Sequence, residues 1–240
     1  MSLPVSRNKQ RTALVMAGGT GGHIFPGLAV AQELRARGWN VHWLGTPGSM
    51  ESRIVPPQGF ALELIEFGGV RGKGIKTLLQ LPFKLLKAFS QARGVIKRVQ
   101  PDVVIGLGGY LTVPGGLMAA MSGVPVVLHE QNSVAGMANK VVAKVAKRVF
   151  TAFPKVFAKG EWVGNPLRQP FLEQGAPAQR FAGRTGALKL LIVGGSLGAK
   201  ALNEIVPKAL ALISADQRPQ VTHQSGAAQI DALRANYQAA

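Results

Sequence analysis

Short aliphatic runs, many of them β-branched, alternate along the chain with longer stretches whose apolar residues return every three or four positions. The runs at residues 13–16, 41–44, 61–65, 103–107, 124–128, 148–151 and 189–193 predict strands, with a weaker one at 221–224. Helical spacing falls between them, near residues 26–37, 76–99, 114–121, 135–146, 199–212 and 228–238. Pro26 and Pro114 suit first helical turns, and Gly38 suits a helix end. Strands alternating with helices predict right-handed crossovers and a parallel sheet covered on both faces, an α/β architecture.

The stretch 160–186 breaks this rhythm, with Pro166, Pro170 and Pro177 among several glycines. A domain boundary is expected inside it, giving domains at 1–166 and 167–240. A new strand–glycine loop–helix unit begins at Leu188 and resembles the one at Thr12. The second domain is short for a complete α/β unit.

Composition narrows the classes. Of 240 residues, 47% are apolar and 16% charged, enough for a sizeable core and against wholesale disorder. There is no cysteine, which excludes disulfides, thiol chemistry and cysteine-held metals. The three aspartates, Asp102, Asp216 and Asp231, stand far apart in sequence, so no aspartate cluster for a divalent metal is expected. A net charge of +17 favours anionic partners. Arg7, Lys9 and Arg11 precede an apolar run too short for an export signal. Residues 103–128 carry no charge, but six glycines and two prolines divide them into strand, loop, helix and strand rather than a membrane span.

Ligands of an open α/β sheet bind beyond the carboxyl ends of its strands, and four motifs are expected there. They are Gly18-Gly19-Thr20-Gly21-Gly22-His23, Gly108-Gly109-Tyr110, His129-Glu130-Gln131-Asn132 and Gly194-Gly195-Ser196-Leu197-Gly198. Together they predict a polar, glycine-lined cleft between two domains. Glycines after a strand let main-chain N–H groups approach an anion at the next helix's start, which suits a diphosphate. No Gly-Lys-Ser/Thr follows, so a P-loop is excluded, and Ile24 stands where a dinucleotide fingerprint needs its third glycine. His23 is placed between the first loop and a helix starting near Pro26, where a neutral ring can accept a proton. The alternative is a histidine that caps the turn. Of His129 and Glu130, one could act while the other braces the loop; a wholly structural pair is the alternative. His42 reads as structural.

Between Gly68 and Pro101 lie eight basic residues and no acid, interleaved with Ile75, Leu78, Leu79, Leu85, Leu86 and Phe89. Pro82 interrupts the helical spacing. This pattern fits a helix in a membrane interface, with Ile75, Leu79 and Phe83 beside Lys76, Lys84 and Lys87. It also fits an ordinary amphipathic helix covering the sheet. Lys140, Lys144 and Lys147 share a second helix face.

The first motif through Ile24-Phe25-Pro26, together with Gly108-Gly109-Tyr110, His129-Glu130-Gln131-Asn132, Gly164-Asn165-Pro166-Leu167-Arg168 and Gly194-Gly195-Ser196, closely resembles the MurG-type glycosyltransferases. The likeness runs in the family's order over essentially the whole chain. It implies the GT-B fold, with an acceptor and membrane-associating domain followed by part of a nucleotide-sugar domain. It also implies transfer of N-acetylglucosamine from UDP-GlcNAc to lipid I with inversion, giving lipid II in peptidoglycan biosynthesis. The expected place is the cytoplasmic face of the bacterial inner membrane, peripheral and on an anionic surface.

By that resemblance the nucleotide-sugar contacts fall on Thr20, Gly21, Gly22, Asn132, Arg168 and Ser196. The acceptor diphosphate falls on loops Gly18, Gly19, Gly108, Gly109 and Tyr110, with His23 as the base candidate. No metal, cofactor or nucleic acid is implied. The family's second domain continues past Ala240 and carries its uracil-recognising segment there, so impaired activity is expected of this chain. Rival readings are another GT-B lipid or natural-product transferase, a dehydrogenase, and a basic nucleic-acid-binding protein. Against the last stand 6% aromatics and charge clustered beside an apolar helical face.

Overall fold

A computed structural model describes residues 10–68, 80–195 and 197–240. The chain parts into two compact units, the first ending at Glu173 and the second running from Gln174 to Ala240.

The first unit is built on β1 (Thr12–Ala17), β2 (Asn40–Gly45), β3 (Ala61–Leu64), β4 (Val103–Gly108), β5 (Val126–Glu130), β6 (Arg148–Thr151) and β7 (Glu161–Trp162). Every neighbouring pair is parallel, in the order β3-β2-β1-β4-β5-β6-β7. The helices are α1 (Gly21–Ala36), α2 (Met50–Ile54), α3 (Leu81–Val99), α4 (Thr112–Met121), α5 (Met137–Val142) and α6 (Gln169–Leu172). The order reverses direction between β1 and β4, which opens a crevice at their carboxyl ends.

β1 is buried along its whole length and feeds two cores by strict alternation. Leu14 and Met16 face Ala88, Val95 and Ile96 of α3 and Ala119 of α4. Val15 and Ala17 face Ile24, Leu28 and Ala31 of α1, with Trp43 from β2. Each leucine, isoleucine, valine or methionine among them contributes about 1.5–3 kcal/mol on burial. The helices reach the sheet through glycines. A Cβ on Gly27 would stand 2.7 Å from the Trp43 ring, and one on Gly115 would stand 2.3 Å from Met16 Sδ. A leucine at either position would push its helix off the sheet.

Several boundaries differ from the sequence expectation. α1 begins at Gly21, not near Pro26, because the Thr20 carbonyl already accepts the His23 and Ile24 N–H groups. Pro26 therefore lies inside the helix, where it forgoes one main-chain bond. Gly38 does end it, at φ 81°. Pro82 stands in the first turn of α3 and starts that helix rather than interrupting it. β5 starts two residues later than expected, because Val126 is the partner of Val104, and it ends at Glu130. The stretch 160–186 is not all loop: β7 closes one margin of the sheet, and two short helices follow.

β4 carries one residue more than β1 at its tip. Met16 pairs with Gly106, and the next pair is Ala17 with Gly108. The slip bends the end of β4 and sets Gly108 at φ 123°, in the region that favours glycine.

The second unit holds α7 (Pro177–Phe181), β8 (Lys189–Val193), α8 (Lys200–Ala211), β9 (Gln220–Gln224) and α9 (Ile230–Ala239). β8 and β9 pair in parallel over five residues, so the weak expectation at 221–224 is a strand. Asn203 Nδ2 donates to the Ser225 carbonyl, tying α8 to the end of β9.

Candidate active site

The first two glycine loops meet main chain to main chain. The Gly18 N–H donates to the Gly108 carbonyl at 3.1 Å. A Cβ on Gly109, whose φ is 93°, would stand 2.5 Å from the Gly18 carbonyl oxygen. The Gly19 N–H donates to Glu51 Oε2 at 3.2 Å, while Glu51 Oε1 accepts from Thr46 N–H and from Thr46 Oγ1 at 2.8 Å. Glu51 is fully buried beneath the loop. The N–H groups of Gly18 and Gly19 are thus spent on the frame and do not face a ligand. Those of Thr20, Gly21 and Gly22, and of Gly109 and Tyr110, have no partner among the described residues. The first three open α1, whose dipole adds to their pull on an anion. Tyr110 packs its ring edge-on against Phe67, and its hydroxyl lies 3.4 Å from Thr46 Oγ1.

His23 lies in the first turn of α1, not ahead of it. Its ring lies against Gly108, where a Cβ would come within 2.6 Å of ring atoms. Nδ1 lies 3.0 Å from Gln131 Oε1. The ring is half-buried, so one edge stays reachable.

His129 and Glu130 are the last residues of β5 and are both buried. Glu130 accepts from Asn132 N–H and Nδ2, Gly136 N–H and Asn139 Nδ2, at 2.8–3.0 Å. It braces the loop that follows. Burial pushes its carboxyl up, but the four donors outweigh that and hold it below the ordinary 4.5. Burial pushes His129 below its ordinary 6.5, with the Gly164 carbonyl and the Glu130 charge opposing. His129 Nε2 lies 2.9 Å from that carbonyl, and the Asn165 side chain reaches the Gln131 carbonyl. The loop after β6 and β7 is thereby fastened to the end of β5.

Arg168 caps α6 and lays its guanidinium over Phe25, 4.4 Å from the ring centroid, and near Phe171. Phe25 stands two residues after His23. The crevice of the first unit therefore gathers the first two glycine loops, His23, the His129–Asn132 tetrad and Arg168. Asn132 spends one side-chain N–H on Glu130 and remains exposed. Three parts of this frame had no role in the sequence reading: Glu51, the Gln131 amide and Phe25. Phe25 could have been found from its place next to the first motif, whereas Glu51 is 32 residues from its partner Gly19.

The fourth loop belongs to the second unit. Gly198 and Gly226 lock it: a Cβ on Gly198 would stand 1.9 Å from the Ser225 carbonyl oxygen. Ser196, and Ile75, Lys76 and Leu79 of the basic–apolar segment, lie outside the described residues. In the described part of that segment, Leu85, Ala88, Ala92, Val95 and Ile96 face the sheet. Phe83 and Leu86 are 75% and 66% exposed beside Lys84, and Lys87 pairs with Glu66 at 2.6 Å. No described helix is long and apolar enough to cross a membrane. Among the described residues no cluster of three or more His, Asp or Glu could hold a metal.

Comparison with known proteins places the chain in a family. A UDP-N-acetylglucosamine–N-acetylmuramyl-(pentapeptide) pyrophosphoryl-undecaprenol N-acetylglucosamine transferase of Paracidovorax citrulli is 75% identical over 96% of this chain. The protein of the same name from Acidovorax sp. is 66% identical over the full chain. The chain spans 65% and 59% of the lengths of these two relatives. The crystal structure of Acinetobacter baumannii MurG superposes with a TM-score of 0.71 at 41% identity, over 95% of this chain and 64% of that one. Residues 13–151 match the glycosyltransferase family 28 N-terminal domain and residues 189–240 the family 28 C-terminal domain. With both halves matched in order along the sequence, the chain belongs to glycosyltransferase family 28.

Proposed function

We propose that this chain forms the acceptor half and part of the donor half of an inverting N-acetylglucosaminyltransferase that uses UDP-GlcNAc and lipid I. One observation carries the reading: main-chain N–H groups without a partner among the described residues stand at Thr20–Gly22, just before His23, and at Gly109–Tyr110, just after the Gly108 against which the His23 ring lies. That arrangement offers two anion sites with a proton acceptor between them. The relatives' names describe two substrates of this kind, each a sugar on a pyrophosphate.

In this reading His23 accepts the proton of the attacking sugar hydroxyl, and direct displacement at the anomeric carbon inverts it. The departing UDP takes its negative charge to the start of α1. There Thr20, Gly21 and Gly22, with Arg168 nearby, meet it with donors fixed in advance. Asn132 and Ser196 complete the nucleotide-sugar contacts. Gly109 and Tyr110 hold the lipid's diphosphate, and Gly18 and Gly19 shape that loop from below. Phe83, Leu86 and Lys84, with exposed Lys140, Lys144 and Lys147, present an apolar and basic face to anionic lipid at the cytoplasmic side of the membrane.

The test is transfer of labelled GlcNAc to lipid I by the chain carried on to its relatives' length. His23→Ala should lower kcat by about 10²–10⁴, the usual worth of a general base, with little change in KM. Turnover equal to the unaltered enzyme would remove His23 from the reaction, and absence of any disaccharide-lipid product would remove the substrate assignment.

A further inference from the structure

Gln131 lies between two histidines, and its hydrogen bonds leave one arrangement of protons. Its Nε2 is 2.9 Å from the main-chain carbonyl of His129, an oxygen that only accepts. Turning the amide over would press two oxygens together there, so the NH2 group must face that carbonyl. The second hydrogen of the same NH2 points at His129 Nδ1, 3.0 Å away. That nitrogen must accept, which leaves the ring proton on Nε2, where it donates to the Gly164 carbonyl. At the other end, Gln131 Oε1 can only accept, so His23 Nδ1 must carry the proton it offers.

We infer that Gln131, oriented by His129, is a positioning residue that fixes His23 as the Nδ1–H tautomer and leaves His23 Nε2 as the free acceptor. Two carbonyls that cannot donate, those of His129 and Gly164, anchor the chain of bonds. An imidazole has one basic nitrogen per tautomer, and its partner decides which. The two rings also differ in what they can do. Protonating His129 would set an Nδ1–H against the amide N–H of Gln131, breaking the chain. Protonating His23 at Nε2 leaves every bond in place, so His23 can take and return a proton while the network holds. Burial, which keeps His129 below its ordinary value, acts in the same direction, and Glu130 is the charged group that opposes it. His129 thus aims Gln131 and does not touch the reacting atoms.

This inference rests on His23 being the base, but its test does not. Nitrogen-15 spectra of the histidine rings in the 240-residue chain, near neutral pH, report which ring nitrogen carries hydrogen. The expected result is Nδ1–H for His23 and Nε2–H for His129. His23 found as Nε2–H would overturn the relay without any variant. In Gln131→Met the His23 ring should lose its fixed tautomer, while Gln131→Glu, which still accepts, should keep Nδ1–H. An unchanged His23 spectrum in Gln131→Met would also overturn the proposal. In the full-length enzyme Gln131→Met should lower kcat about tenfold or more, inside the 10²–10⁴ worth of a base, with KM nearly unchanged. A rise in KM at constant kcat would mark Gln131 as a binding residue instead. If the spectra agree but His23→Ala turns over normally, the reading of His23 as base fails while the relay stands.

Discussion

Replacing Glu51 with glutamine should loosen the first glycine loop from beneath. The carboxyl is fully buried and accepts three hydrogen bonds, one from Gly19 and two from Thr46. A glutamine keeps one accepting oxygen. With that oxygen on Thr46, its NH2 faces the Gly19 N–H, and two donors meet. Reversing the amide only moves the conflict to Thr46. One buried donor left unsatisfied costs about 1–3 kcal/mol. For a domain of this size that lowers Tm by roughly 2–4 °C per kcal/mol, or about 2–12 °C. Glu51→Ala strands both main-chain donors and should cost about twice as much.

Tryptophan fluorescence isolates the relevant unit, because Trp39, Trp43 and Trp162 all precede Gln174. Amide exchange adds a local readout, since the Gly19 N–H donates to Glu51. Melting of Glu51→Gln equal to the unaltered chain, with Gly19 still slow to exchange, would refute the reasoning. Glu33→Gln, on an exposed side chain, serves as the control.

Gly109→Ala should separate the two glycine loops, because the new Cβ meets main chain that cannot yield; a Tm fall of several degrees is expected, and an unchanged melt would count against it. Arg168→Ala should weaken UDP-GlcNAc binding by isothermal calorimetry in the full-length enzyme, and unaltered affinity would release Arg168 from the donor site. Phe83→Glu with Leu86→Glu should reduce sedimentation with anionic vesicles, whereas equal sedimentation would remove the membrane face. Acid should destabilise the first unit in two steps. His129, held low in the fold, costs stability as pH falls below its unfolded value near 6.5, and Glu130, also held low, does so as pH falls below 4.5. Urea titrations of His129→Gln and Glu130→Gln should each flatten the corresponding step.

The sheet was largely legible because parallel strands buried on both faces read as apolar runs, and because glycine loops mark their tips. His23 was legible as a candidate, but its place within α1 was not, since Pro26 signals a helix start more loudly than the Thr20 carbonyl does. β7 escaped because two residues carry no period. The frame of the site escaped for another reason. Glu51 with Gly19, and Gln131 with His23, are joined across long stretches of chain that only the folded sheet brings together. Local spacing has no trace of such pairs. The basic–apolar segment fits two readings from its spacing alone: in the part described its inner face covers the sheet, while Phe83 and Leu86 are exposed and their facing a membrane is a proposal.

The two margins of the seven-stranded sheet are short: β3 has four residues and β7 has two. On β3, Glu63 is held by His42 and Arg98, placing charge beside the little main chain that remains open. Five inner strands rich in valine and leucine would otherwise be apt templates for fibril growth. With edge strands this short, a second copy would find little main chain at either border to zip onto.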